Sequence, residues 1–300
     1  MKMVKKTLHH PKKSQKSLFP MKSLCMFVKN IRQHIYMNTV LFIIDPQNDF
    51  CNPKGSLFVP GAVADIDRIV GMIDNYGQSI DEVVLTADDH LPNDISHPTF
   101  WRDKVGEPPR PFSQISYQDY EEGKFVPAAP EDAKVVESYI QQLEEAGKAH
   151  TIWPEHCISG TWGAEIDSKL LEKLIEWTRR SNRHYQIIRK GWYPYSEHFG
   201  AFEAEVPYPM EESTLFNTPL ARKLDKFSRI LLAGEAKSHC VCHTVAQMIN
   251  KAPELVAKTT ILTDAMSTIQ GYETLSDVTF EKAKRLGASF ATTVEVFNGH

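Results

Sequence analysis

Nowhere does the chain approach the roughly 18 uninterrupted apolar residues that a membrane-spanning helix needs. Its first residues also lack the compact apolar segment and small-residue cleavage site of a secretory leader. A membrane-embedded or exported protein is therefore not expected, and a cytoplasmic one is. Cysteine is scarce: Cys25, Cys51, Cys157, Cys240 and Cys242 are too few, too scattered and odd in number for a disulfide framework, so reduced thiols are expected. No internal repeat is visible, and no low-complexity tract beyond one lysine-rich arm, which argues against a solenoid. Acid is missing from the first 38 residues, which hold eight Lys and one Arg. The rest of the chain then carries −13 against −4 overall. An acid-free arm can bind nucleic acid or anionic lipid, but its Arg-poor lysines around Pro11 and Pro20 read as a solvated tail. Residues 1–37 are expected to be a disordered extension, with no nucleic-acid or membrane partner.

What is present is ordinary globular material, 300 residues with 42% apolar content, enough for a large core. Thr39 to Ile44 is a short, continuous, branched apolar run that reads as a buried strand. Val63 to Tyr76 carries apolar residues at helical spacing, and Glu82 to Ala87 is a second strand. The alternation returns as helix Ala164 to Arg179, strand Tyr185 to Arg189, strand Ile230 to Ala233, helix Ser238 to Asn250, strand Thr259 to Leu262, helix Leu275 to Leu286 and strand Ser289 to Thr292. Such a rhythm predicts a mainly parallel sheet of five or six strands inside a three-layer α/β/α sandwich. From about residue 98 to 150 the periodicity fails, with one helical patch near Ala133 to Ala146. A loop of this length without structure is uncommon, so an insertion acting as a lid, subunit contact or irregular subdomain is expected on a domain spanning 38–300.

Three reactive side chains close three apolar runs. Asp45 follows the first strand, Lys190 ends Tyr-Gln-Ile-Ile-Arg-Lys, and Cys240 follows a strand and a small-residue turn at an expected helix start. In an open parallel sheet such ends share one crevice. A helix N-terminus is expected to lower the thiol pKa and to offer N–H groups to an oxyanion. Asp88 and His90 lie two apart in an extended stretch, on one face, and His156 can complete a two-histidine, one-carboxylate set. Such a set keeps positions open for water or substrate, as a catalytic zinc, iron or manganese site does.

These residues lie within five motifs: Asp-Pro-Gln-Asn-Asp-Phe at Asp45 to Phe50, Asp-x-His at Asp88, Trp-Pro-x-His-Cys-x-x-Gly-Thr at Trp153, Lys-Gly at Lys190, and Ala-x-x-x-Cys-Val at Ala236. Together, in this order, they resemble the isochorismatase-like cysteine hydrolases and, among them, the nicotinamidases. The resemblance covers most of the chain from Met37. It implies that Asp45, Lys190 and Cys240 form a catalytic triad and that Asp88, His90 and His156 hold one divalent metal ion, with zinc first choice and iron or manganese next. It further implies that Phe50 and Trp153 wall a pyridine ring. The backbone N–H groups of Ala236 and Cys240 would form the oxyanion hole after a cis peptide at Glu235 to Ala236. The implied reaction is nicotinamide to nicotinate and ammonia, through a thioester, in a homo-oligomer.

The chain departs from that pattern beside the reacting groups. Ala87-Asp88-Asp89-His90 replaces an Arg-Asp-Trp-His run, so Asp89 is expected to make the rim more anionic; Lys237-Ser-His-Cys240 replaces Thr-Asp-Tyr-Cys; and His198 to Phe202 alters the stretch after the lysine. These changes keep two alternatives open: an amidase of the same kind acting on another amide or an N-carbamoyl compound, and an inactive protein that binds a pyridine ligand. Bland readings apply elsewhere. Cys157 and Cys242 read as small buried hydrophobes, Asp49 as a brace of the turn after the first strand, and Asp264 as structural. His239 and His243, spaced i and i+4, form a weaker metal pair. One of Ser96 and His97 is expected to face His90.

Overall fold

The computed structural model describes residues 38–298. The extension expected at residues 1–37 lies outside the described residues. Six strands, β1 (Thr39–Ile44), β2 (Glu82–Asp88), β3 (His184–Lys190), β4 (Arg229–Gly234), β5 (Thr259–Leu262) and β6 (Ser289–Ala291), pair in the order β6-β5-β4-β1-β2-β3. Every pairing is parallel. The main helices are α1 (Ala62–Tyr76), α2 (Ala133–Glu145), α3 (Ser168–Ser181), α4 (Thr218–Asp225), α5 (Cys242–Lys251) and α6 (Asp277–Arg285). No helix among the described residues is long and apolar enough to cross a membrane.

Alternation along β1 divides the molecule into two cores. Leu41 and Ile43 face α1 and α3, packing with Ile66, Ile69, Leu170 and Leu174. Val40, Phe42 and Ile44 face the other side, with Leu220, Leu224, Val245 and Met248 of α4 and α5. All six residues of β1 are buried, and each large aliphatic removed from water there stabilises the fold by about 1.5–3 kcal/mol. Because β1 neighbours both β2 and β4, the chain reverses its order between β1 and β4. That reversal opens a crevice at the carboxyl ends of the strands.

The expected alternation of elements holds, and the boundaries that shift have local causes. The helix expected from Ala164 starts at Ser168, because the Asp167 side chain accepts from Leu170 N at 3.1 Å and caps it there. Helix α4 was not foreseen, although its sequence carries Asn217 as N-cap and Pro219 in the first turn. The helix expected from Ser238 is not uniform: Lys237–Val241 forms a π-helical turn, and α-helix begins only at Cys242. Cys240 therefore sits in a widened turn, not on the first turn of an α-helix.

The segment between β2 and α3 builds its own small core. Trp101–Asp103 pairs with Phe125–Pro127, and Gln114–Ile115 with His150–Thr151, both antiparallel. Trp101, Ile115, Ile152, and Tyr139 and Ile140 of α2 bury one another apart from the two sheet cores. His150 is the polar centre of this cluster. Its Nε2 lies 2.8 Å from the Ile95 carbonyl and so carries the proton, which leaves Nδ1 to accept from the Tyr139 hydroxyl at 3.2 Å. Burial pushes the His150 pKa down to about 4.

A depressed histidine pKa stabilises the fold fully above the unfolded value and loses that contribution as pH falls below about 6.5, at about 1.4 kcal/mol per pH unit. His150→Gln should therefore be less stable than the parent at about pH 7.5, and the gap should narrow by roughly 3 kcal/mol on approaching pH 4. Urea denaturation of both proteins across that range measures the gap; a gap independent of pH would refute the neutral, buried assignment.

Candidate active site

Four strand ends deliver the reacting groups to the crevice. Asp45 is the first residue beyond β1, Asp88 and Lys190 end β2 and β3 as register partners, and Cys240 lies in the turn after β4. Gly234 makes that turn feasible: its φ is +114°, and a Cβ there would overlap the Ile44 carbonyl oxygen. The Glu235–Ala236 peptide is cis, as the resemblance implied. Alternation along β3 sends Arg189 outward and Lys190 into the crevice.

The Lys190 ammonium is the hub. It lies 3.0 Å from Asp45 Oδ2 and 3.1 Å from Asp88 Oδ1, donates to the His198 carbonyl at 2.8 Å and is 3.9 Å from Cys240 Sγ. Burial would discharge this amine, but the two carboxylates more than offset that and hold its pKa well above the usual lysine value. Asp45, Asp88 and Cys240 also converge as donor atoms, yet the cation among them is Lys190. Thr86 fixes Asp45 from both sides, its hydroxyl donating to Oδ1 at 2.6 Å and accepting from the Asp45 N–H at 3.0 Å. Burial raises the Asp45 pKa despite Lys190, and the Cys240 sulfur lies within 4.8 Å of an Asp45 carboxyl oxygen.

The thiol does not behave as a helix N-terminus would make it. Burial, with Asp45 and Asp88 nearby, pushes the Cys240 pKa well above the usual thiol value, and Lys190 offsets this only in part. The resting group is a neutral thiol beside a carboxylate. Cys157 and Cys242 are buried, as the bland reading had it.

Next to this hub, Asp88, His90 and His156 bring one donor atom each within 4.8 Å of one another. The donor atoms suit a cation. His156 Nδ1 faces the Pro154 carbonyl at 2.8 Å, so that ring turns an unprotonated Nε2 toward Asp88 Oδ2 at 3.9 Å; His90 lies between Asp94 Oδ2 at 3.2 Å and Asp88 Oδ2 at 3.3 Å, and these two carboxylates outweigh burial and raise its pKa well above the usual histidine value, so a divalent ion would replace a proton on its Nε2. Burial drives the His156 pKa down to about 3, which keeps that ring a lone-pair donor. Lys190, His90 and His156 together outweigh burial at Asp88 and hold its carboxyl far below the usual range. The residues thus fit a divalent ion. His97 faces His90, as one of the pair with Ser96 was expected to, but its Nε2 accepts from the His156 N–H at 3.4 Å and braces that ligand.

A pocket opens on Cys240 and Ala236, walled by Phe50, Trp153 and Phe199 and floored by Asp88 and His156. His239 closes one side, 4.9 Å ring to ring from Trp153. Its pKa falls to about 3 through burial, and its Nδ1 is engaged by Ser238 at 2.9 Å rather than by a metal. His243 instead pairs with Glu205 at 2.7 Å, so the alternative metal pair is not formed. Asp89 does not charge the rim: it is buried and meets Arg189 at 3.4 Å. Asp49 braces as expected, accepting from the Cys157 N–H at 2.7 Å and the Ser56 N–H at 2.9 Å, and Asp264 accepts from the Thr293 N–H at 2.8 Å.

Sequence reasoning missed Asp94, Thr86 and Glu197. Asp94 stands four residues after His90, a spacing that was available but is common in loops. Glu197 gave no signal; it is buried at the pocket, one carboxyl oxygen has no partner, and burial lifts its pKa to about 8.

Six parallel strands, with Asp45, Asp88, Lys190 and Cys240 gathered at the switch point of their order, form an α/β fold shared with solved nicotinamidases. In sequence, too, the chain is similar to nicotinamidases. No family model matches it. It is 25% identical to the nicotinamidase of Saccharomyces cerevisiae over 226 residues, 75% of this chain and 85% of that protein. It is 28% identical to the nicotinamidase of Acinetobacter baylyi over 209 residues, 69% of this chain and 72% of that one. The solved yeast nicotinamidase bound to the inhibitor nicotinaldehyde superposes with a TM-score of 0.59 at 21% identity, covering 85% of this chain and 99% of that one. The pyrazinamidase of Pyrococcus horikoshii, solved in complex with zinc, gives a TM-score of 0.50 at 21% identity over 85% of this chain and 99% of that one. At these identities the superpositions establish the fold.

Two outcomes follow from the geometry. Asp94→Asn should weaken divalent-metal binding by about 10–100-fold, since it removes the carboxylate that orients His90; competition with a chromogenic chelator reads this directly, and unchanged affinity would exclude the orienting role. Lys190→Met leaves two buried carboxylates without their cation and should cost about 3–5 kcal/mol at neutral pH. Those carboxylates would then have raised pKa values, so part of the loss should return as pH is lowered, visible as a shrinking difference in Tm.

Proposed function

We propose that this chain is a nicotinamidase, hydrolysing nicotinamide to nicotinate and ammonia through a thioester on Cys240. The observation that carries the reading is the Cys240 thiol beside the Asp45 carboxylate, with the Lys190 ammonium joining both to Asp88. Asp45, Lys190 and Cys240 are the catalytic residues in this reading. Phe50 and Trp153 wall the pyridine ring, and Asp88, His90 and His156 are the metal ligands. A divalent ion bound there, for which the zinc of the pyrazinamidase relative supports zinc, would supply a Lewis-acid contact that anchors the pyridine nitrogen or a water.

In the first half-reaction Asp45 takes the Cys240 proton while sulfur attacks the carboxamide carbon. A base whose pKa burial has raised can both accept that proton and return it. Thiolate forms only as attack proceeds, since the resting thiol is neutral, and Lys190 offsets its charge. The Ala236 and Cys240 N–H groups hold the oxyanion. Protonated Asp45 gives its proton to the leaving nitrogen, the C–N bond breaks and ammonia departs. In the second half-reaction Asp45 takes a proton from water, the oxygen attacks the thioester, and the C–S bond breaks. Sulfur recovers the proton and nicotinate leaves.

Ammonia release measured across nicotinamide, pyrazinamide, benzamide and an N-carbamoyl amine tests this. Nicotinamide should be the best or among the best of these, and Cys240→Ala should lower kcat by roughly 10³-fold or more. Ammonia from another member of the panel but none from nicotinamide would replace the substrate; none from any of them would remove the enzyme reading.

A further inference from the structure

Beyond the catalytic pocket lies a second cavity, whose outer wall comes from the segment that carries α2. The two cavities share Trp153, Glu197, Phe199 and His239 as common lining. Tyr139 and Tyr272 continue the aromatic surface outward, with Gln114 and Leu275 exposed at the rim. We propose that this outer chamber is a second subsite for the acyl part of the substrate, and that it takes a neutral, planar aryl extension joined to the ring carboxamide through a hydrogen-bond donor. This rests on the nicotinamidase-like reading of the inner pocket.

Three observations select that chemistry. The extension must lie on the acyl side, because Asp45, which serves the departing nitrogen, is fully buried and lines neither cavity; the leaving amine has no room to grow beyond ammonia. It must be uncharged, because the ions at the chamber answer one another: Glu205 is held ionised by His243 and Lys148 and pairs with both. An anionic or cationic arm would have to displace one of these partners. It must present a donor at the junction, because Glu197 is 3% exposed and one of its carboxyl oxygens has no partner there. An N–H in the linkage donates to that oxygen when the acid is ionised, whereas an apolar linkage would leave it desolvated and unpaired in either state. Trp153, Tyr139 and Tyr272 then offer aromatic edges and faces to the outer ring.

The probe is nicotinamide carrying an anilino group para to the carboxamide, compared with nicotinamide itself. The parent enzyme should hydrolyse the probe with a KM about tenfold or more below that for nicotinamide, the gain expected when an aromatic ring leaves water. Gln114→Trp and Leu275→Trp, each filling the chamber from its exposed rim, should raise the probe's KM about tenfold and leave nicotinamide kinetics within about twofold. Nicotinamide turnover without any turnover or competitive inhibition by the probe overturns the subsite and leaves the proposed function standing, as do rim variants that slow both amides equally. If neither amide is hydrolysed, the proposed function fails, and calorimetry of the probe on Cys240→Ala decides the subsite alone. Saturable binding abolished by the rim variants supports it, and absence of binding ends it.

Discussion

One buried ammonium organises this molecule. Lys190 sits between Asp45 and Asp88 at 3.0 and 3.1 Å, with all three groups removed from water. Each charge alone would be costly to bury, by several kcal/mol after relaxation. Two carboxylates around one cation, with the His198 carbonyl as a further acceptor, make the set tolerable. The arrangement also forces the fold's precision. The carboxylates come from β1 and β2 and the amine from β3, so the register Asp88↔Lys190 and the pairing of β1 with β2 must both be right before the charges meet. Because Asp88 also belongs to the two-histidine donor set, Lys190 couples the electrostatics of the Cys240 thiol to those of that set.

The surroundings keep that charge set isolated. His97, His156, His198 and His239 are all held neutral by burial, each with a pKa near about 3. His90 is the exception: set between Asp88 and Asp94, its pKa is raised, and it shares Asp88 with Lys190. The consequence for Cys240 runs against the usual picture of an activated cysteine. Lys190 lies within 3.9 Å of the sulfur, yet that cation is already shared by two carboxylates, and burial wins. A site that stores a neutral thiol and a carboxylate with a raised pKa needs only one short proton transfer when substrate excludes the remaining water. It also limits the reactivity of the free thiol toward oxidants and stray electrophiles.

The part of this that was legible in the sequence is the part governed by period and position. Buried strands announced themselves as branched apolar runs, and a residue that ends such a run lands in the crevice by topology, which is why Asp45, Asp88, Lys190 and Cys240 were found. Alternation along Arg189-Lys190 lets only one of the two enter the crevice, and the Lys-Gly motif selected Lys190. What was illegible depends on loops that the sheet does not control. Asp94 meets His90 because the chain turns back after Leu91-Pro92, and Glu197 reaches the pocket from the long connection after β3; neither has a period to betray it. Asp89 was misread as a free rim charge because its partner Arg189 belongs to another strand. The π-helical turn at Lys237–Val241 escaped because its composition is that of any helix start.

Backbone strain at the site shows how its two halves differ in tolerance to change. Asp45 and Cys157 take left-handed φ values of 42° and 48°, conformations that side chains of this kind rarely adopt. Each is held by a group from another element: Thr86 of β2 grips Asp45, and Asp49 grips the Cys157 N–H. Gln47 adds a further clamp, accepting from the Asp88 N–H and donating to the Asp88 carbonyl, both at 2.7 Å. The charge set and the Asp88, His90, His156 donor cluster are thus fixed by hydrogen bonds that run between strands and the loops adjoining them. The pocket's outer wall is fixed differently, by apolar packing within the segment bearing α2 and by ring contacts among Trp153, Phe199 and His239. Packing of that kind accepts volume-conserving substitution at modest cost, whereas a strained residue deprived of its clamp does not. Sequence change at Lys237 to His239 and across the inserted segment can therefore reshape what the pocket admits while Asp45, Lys190 and Cys240 stay where the sheet puts them.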